Sequence, residues 1–220
     1  MTIAVELQNR GINELLHFTT QRGAVGTIAT GSLLSRYMLP EDSYLQHILH
    51  LNAADRPEAS AYFDKSNNWL NFVNLSISEI NKRYFDVSSK KWHINANVWW
   101  CILAFDPIIA THEGVYFTTT NNSYEFCKRE SGLVGFNDLF TPVIDRKIGW
   151  KALRALRPAH LATCEQAEVL YPEQIPLKYL RSIYVRTEEH HDLVKGCLLE
   201  YGWKEVNVYI SEKKFLGAPN

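Results

Sequence analysis

The run Gln166-Ala167-Glu168-Val169-Leu170-Tyr171-Pro172 decides how this chain is read. Val169, Leu170 and Tyr171 have the β-branched, apolar and aromatic character of a strand, and Pro172 ends it because proline cannot donate to a ladder. Glu168 thus stands where a strand begins, directly after a long basic stretch that reads as irregular. A carboxylate on a rigid strand edge, entered from a mobile loop, can be held in one orientation against a substrate. The plainer reading is a solvent-facing glutamate on an edge strand, the usual fate of this residue type. The rest of the chain decides between them.

Its 220 residues fit a single domain over 1–220, and 46% hydrophobic with 12% aromatic residues supply a full core. A net charge of −1 excludes a protein that coats nucleic acid nonspecifically, though not one with a local basic groove. The four cysteines (Cys101, Cys127, Cys164, Cys197) lie far apart with no C-x-x-C pair, so neither a metal site nor a disulfide framework is expected. Residues 1–6 lack the basic start and apolar core of a signal peptide. The longest apolar run, 98–105, is too short to span a bilayer. The expectation is a soluble cytoplasmic protein with no membrane partner.

Leu15-Leu16-His17-Phe18-Thr19 reads as a first strand, and Thr20 can cap a helix that runs to Thr30 and stops at Gly31. Residues 35–68 are polar and irregular, and a loop of that length inside a compact domain is usually functional. Strands are expected over 69–77, 99–105, 114–119, 179–185 and 206–210. The second is apolar on both faces and so central, and Asn121-Asn122 breaks the third. A short helix is expected over 135–140. A longer one over 188–201 should bury Leu193, Val194, Cys197, Leu198 and Tyr201 and end at Gly202. The class is mixed α+β, because strands and helices do not alternate regularly.

His17, between Leu16 and Phe18, is either a satisfied core histidine or a neutral donor and acceptor to a ribose hydroxyl or amide. Arg56, in a polar loop, pairs with Asp55 or solvent by default, and is also suited to clamping a diphosphate in two-point geometry. Arg83 is the alternative for that role. From 142 to 160 the chain carries Arg146, Lys147, Lys151, Arg154 and Arg157 against one acid, Asp145, with Trp150 among them. A charge run is commonly a solvated face; with an aromatic it can also hold phosphates and stack a base of a single strand. G-x-x-x-x-G-K-[ST], G-x-G-x-x-G and G-x-S-x-G are absent, which argues against a kinase, a Rossmann dehydrogenase and an α/β-hydrolase. His190 and His191 point about 100° apart on a helix and read as surface.

Leu16-His17-Phe18-Thr19, then Gly31-Ser32-Leu33-Leu34-Ser35, the long loop with Arg56, Phe72-Val73-Asn74-Leu75-Ser76, Ile102-Leu103-Ala104-Phe105-Asp106-Pro107, Phe117-Thr118 and finally Gln166-Ala167-Glu168-Val169-Leu170 follow one another in an order that resembles the DarT family. These are NAD-dependent DNA ADP-ribosyltransferases, the toxin halves of bacterial toxin–antitoxin pairs. The resemblance runs from about Leu15 to about Ile183. It implies an ADP-ribosyltransferase-like split antiparallel β core with flanking helices and a long substrate loop, and NAD in its cleft as substrate.

It further implies that His17, with Phe18 and Thr19, contacts NAD, that Arg56 contacts the phosphates, and that Glu168 is the catalytic acid. The loop before Glu168 becomes the target loop, with Trp150, Lys151, Arg154 and Arg157 as its contacts to single-stranded DNA. An antitoxin that removes ADP-ribose is the implied partner. Thr118-Thr119-Thr120-Asn121-Asn122 replaces the Thr-Asp-Gly step of many members, and strand 72–76 lacks the proline and aromatic pattern of the thymidine-modifying branch. Guanine is therefore the preferred base and thymine the alternative. Competing readings are transfer to RNA or protein, and a non-catalytic nucleotide-binding module.

Overall fold

The longest apolar run folds as the strand Trp100–Phe105, buried at every position, and the sheet is assembled around it. The computed structural model describes residues 1–38, 69–92, 98–122 and 124–220. Arg56 and nearly all of the long loop expected at 35–68 lie outside the described residues.

The strands are β1 (Leu15–Thr20), β2 (Ser32–Leu34), β3 (Phe72–Ile77), β4 (Trp100–Phe105), β5 (Tyr116–Thr118), β6 (Arg129–Ser131), β7 (Val143–Lys147), β8 (Trp150–Leu153), β9 (Glu168–Pro172), β10 (Gln174–Pro176), β11 (Leu180–Val185) and β12 (Asn207–Ile210). Among the described residues the α-helices are α1 (Ile3–Arg10), α2 (Gln21–Thr30), α3 (Lys82–Val87), α4 (Gly132–Asp138) and α5 (Glu188–Glu200).

Among the described residues eight strands form one sheet in the order β12-β11-β4-β1-β3-β9-β5-β6. All its neighbours are antiparallel except β11 and β12. β1 pairs with β4 along its whole length, from Leu15 opposite Phe105 to Thr20 opposite Trp100. With β3 it pairs only at Leu15–Ile77 and Leu16–Ser76, after which the two strands part. The sheet is therefore split between His17 and Asn74, as a split antiparallel core requires.

Strand alternation sends Leu15, Cys101, Leu103, Phe105, Val73, Leu75, Phe117 and Val169 into the main core, under Leu7 of α1, Ala24 and Ile28 of α2, Phe136 of α4, and Val194 and Leu198 of α5. Leu16, Trp100, Ile102 and Ala104 face the other way, against Phe85 of α3, Ile80 and Phe215. Each large apolar side chain buried in this way contributes roughly 1.5–3 kcal/mol. α2 begins and ends where its sequence says: Thr20 Oγ1 accepts from the Gly23 amide at 3.3 Å, and Gly31 takes φ +71°.

Several expectations need correction. The basic stretch is a β7–β8 hairpin rather than irregular chain, with Gly149 at φ +72° in its turn. Its buried positions, Ile144, Arg146 and Ala152, include a charge, which hid the alternation. Trp69–Asn71 is a 3₁₀ turn leading into β3 rather than strand. α4 lies earlier than 135–140, and Gly135 within it sits so close to Glu130 that an added Cβ would meet its carbonyl oxygen at 2.1 Å. α5 buries the stripe Val194 and Leu198, with Cys197 partly covered, and packs chiefly on α2 and β12. Leu193 and Tyr201 are about half exposed, 52% and 50%. His190, read as surface, is stacked on Trp99 with ring centres 4.1 Å apart. α1 and α3 are short and were not foreseen. Among the described residues no helix is long and apolar enough to cross a membrane.

Candidate active site

Glu168 opens β9 in the interior of the sheet, flanked by Ser76 of β3 on one side and Thr118 of β5 on the other. It is not on an edge strand. Asn74, two residues before Ser76 and on the same face, donates its side-chain amide to the Glu168 carboxylate, and the Asn122 amide donates as well. Arg129 adds a favourable charge. Burial outweighs all three: the carboxyl is raised from the ordinary 4.5 to about 7. A carboxyl half-ionised near neutrality suits proton transfer.

Arg129 is itself tied down. It donates through Nε to the Asn122 side-chain oxygen, through Nη2 to the Asn122 carbonyl, and through Nη1 to the Cys127 carbonyl at 3.3 Å. That clamp fixes the turn that presents the Asn122 amide to Glu168.

His17 is the first residue of β1 past the point where β3 leaves it. Its Nδ1 lies 3.0 Å from the Asn74 carbonyl oxygen, so Nδ1 carries the hydrogen and donates. Burial holds its pKa below the ordinary value, against the opposing pull of that hydrogen bond, and keeps the ring neutral with Nε2 an acceptor. Phe18 projects to the other face and packs against Tyr84, Phe85 and Trp100 with ring centres 5.2–5.7 Å away. Thr19, partly buried, gives its carbonyl to the Cys101 thiol at 3.6 Å. Thr20 then caps α2, so the strand delivers the chain directly into a helix N-terminus.

Arg83 donates to Glu165 at 2.7 Å and lies over the Trp150 ring at 5.5 Å. Arg146, fully buried, also donates to Glu165, at 2.6 Å, and lies 5.0 Å from the same ring. Trp150 is thereby fixed under two guanidiniums and beside Tyr124. Lys151 pairs with Asp145 at 3.1 Å, both more than half exposed, an ion pair worth at most about 1 kcal/mol. Arg154 donates to the carbonyls of Leu161 and Pro158 and to Thr163 Oγ1. Arg157 has an 8% exposed side chain and binds Glu79, the Ala162 carbonyl and the Ala218 carbonyl. The structure thus groups His17 and Glu168 around Asn74, and places the four target-loop residues together on the chain leading to Glu168.

The profile of the family described as "ssDNA thymidine ADP-ribosyltransferase, DarT" matches residues 16–216. The chain belongs to the DarT family. Among solved structures, Thermus sp. 2.9 DarT in complex with ADP-ribosylated ssDNA aligns with TM-score 0.65 at 12% identity, over 93% of this chain and 96% of that one. The same protein in complex with NAD+ aligns at 0.60 and 14% identity, over 91% and 96%. Thermosipho africanus DarTG in complex with ADP-ribose aligns at 0.54 and 13% identity, over 93% of this chain and 51% of that one. No curated protein matches the chain.

Sequence alone does not single out Arg129 or Glu165, and it names Asn74, Asn122 and Arg146 without the contacts they make here. Asn74 carries the one usable signal, a residue type depleted in strands standing inside an apolar strand. Arg146 and Glu165 meet 19 residues apart with no local pattern to announce them.

Proposed function

We propose that this chain transfers ADP-ribose from NAD+ to a base of single-stranded DNA, with Glu168 as the catalytic carboxylate. One observation carries the assignment: a carboxyl raised to about 7 is held by two amide donors beside the split in the sheet. The bond between ribose C1′ and the nicotinamide nitrogen breaks, and its electron pair neutralises the pyridinium. The ribosyl centre gains oxocarbenium character, and the negative Glu168 carboxylate stabilises that developing positive charge. A base nitrogen forms the new bond to C1′ and gives its proton to Glu168.

Neutral His17 offers Nε2 to the NAD+, with the backbone of Phe18 and Thr19 alongside, and Arg56 holds the diphosphate so that C1′ faces the acceptor. Trp150 and Lys151 meet the DNA strand, while Arg154 and Arg157 act through the shape of the loop. An unpaired base suits this site because extrusion from a duplex adds a few kcal/mol.

For the base we favour guanine, on the pattern of Phe72-Val73-Asn74-Leu75-Ser76, against the thymidine of the family description. An enzyme that marks DNA in its own cell needs an antitoxin that removes the mark, and the alignment with half of a DarTG chain supports that pairing. The test is a panel of single-stranded oligonucleotides, each with one reactive base type, incubated with NAD+ and read by mass. A gain of one ADP-ribose on the guanine oligonucleotide alone is expected. A gain on thymine alone overturns the base, and no gain on any DNA overturns the acceptor.

A further inference from the structure

The segment after the buried Phe215 turns back across the target loop. Gly217 makes the turn at φ +60°, where an added Cβ would meet the Ile80 carbonyl oxygen at 2.9 Å. Beyond it, the Ala218 amide donates to Glu79 and the Ala218 carbonyl accepts from Arg157 at 2.7 Å. The Asn220 main-chain oxygen accepts from Arg146 at 2.6 Å. The Asn220 side-chain amide donates to the carbonyls of Leu153, at 2.8 Å, and Thr163.

These contacts land on β7, on the end of β8, on the turn after it, on the approach to β9 and on the exit of β3. All but the last belong to the chain between 143 and 163, which leads to Glu168. Leu153 and Thr163 are joined through one side chain, which sets the span of everything between them. That span includes a strained position, Ala155 at φ +41°, and beside it Leu156, fully exposed. Such a backbone persists where its surroundings over-determine it, and here Arg154, Arg157 and Ala218 supply the restraint. Removing the segment would leave Arg146 without one of its acceptors inside the core and Arg157 without another.

We propose that residues 218–220 are a strap that fixes the target loop, and that Asn220 is a positioning residue for the DNA half of the reaction. The inference rests on the DNA-modifying reading above. The strap touches nothing described of the His17–Asn74–Glu168 group, so it acts on the acceptor strand and not on NAD+.

The test compares the full chain with Asn220→Ala and with a chain lacking 218–220. KM for a single-stranded oligonucleotide, KM for NAD+, and amide hydrogen exchange over 143–163 are measured on each. Losing two hydrogen bonds should raise KM for DNA about tenfold in Asn220→Ala, and further in the deletion, with KM for NAD+ unchanged. Exchange should quicken over 143–163 but not in β3, β4 or β9. Unaltered exchange over 143–163 in the deletion variant overturns the strap, as does an equal rise in both KM values. A wild-type chain that modifies no oligonucleotide overturns the DNA reading instead, and the exchange result then decides the strap alone.

Discussion

Asn74 and Glu168 are coupled across neighbouring strands: the side-chain amide of the first donates to the carboxylate of the second, while the carbonyl of Asn74 accepts from His17 at 3.0 Å. One residue at the fork of the split sheet therefore orients both the group assigned to NAD+ and the group assigned to the acceptor. Replacing it by alanine removes a hydrogen bond to a charged group, worth about 1.5–3 kcal/mol. Asn74→Ala should lower kcat/KM by about ten- to a hundredfold. It should also move the acidic limb of the pH–rate profile upward, since a donor that favours the ionised carboxylate is gone. A lower rate with an unmoved limb would show that Asn74 does not act through Glu168.

The raised carboxyl has a stability consequence of definite sign. Glu168 goes from 4.5 to about 7 on folding, so between these values the native state binds more protons than the unfolded chain. The site is relatively stable below pH 4.5 and loses that stability as pH rises through 7. Glu168→Gln keeps an acceptor for Asn74 and removes the buried charge. It should be more stable than the wild type at pH 8, by up to about 2–3 kcal/mol, and unfold at a higher temperature there, with the advantage shrinking towards pH 4.5. Thermal unfolding at pH 8 and pH 5 checks this.

Glu165, three residues before Glu168, is a contrasting case. Its side chain and that of Arg146 are both fully buried and bonded at 2.6 Å. Glu165→Ala takes the carboxylate away from that buried guanidinium and should cost about 3–5 kcal/mol. Urea unfolding reads it directly.

The two arginines proposed from sequence for the diphosphate should separate cleanly. Arg83 is engaged with Glu165 and Trp150. Arg83→Ala should leave NAD+ affinity unchanged, while Arg56→Ala should weaken it about tenfold or more. Titration calorimetry with NAD+ distinguishes them, and the reverse order would assign the clamp to Arg83.

The place of Glu168 was legible because β-branched and aromatic residues followed by Pro172 mark a strand start wherever they occur. The central strand was equally plain, since its apolar run has the length of a buried strand and is stopped by Asp106-Pro107. His17 was visible only as a candidate; its meaning depends on β1 and β3 parting after Leu16, which no local pattern encodes. Asn122 was correctly read as a strand breaker, but the aim of its amide is set by Arg129, seven residues on. The β7–β8 hairpin was masked because Arg146 occupies a core position that periodicity reserves for apolar side chains.

The central claim is that Glu168 carries the transfer and not merely the fold. The most direct measurement sets wild type beside Glu168→Gln, with NAD+ affinity by calorimetry and ADP-ribose transfer to single-stranded DNA by mass. The account predicts NAD+ bound as in the wild type and transfer abolished. Transfer at the wild-type rate by the variant would contradict it.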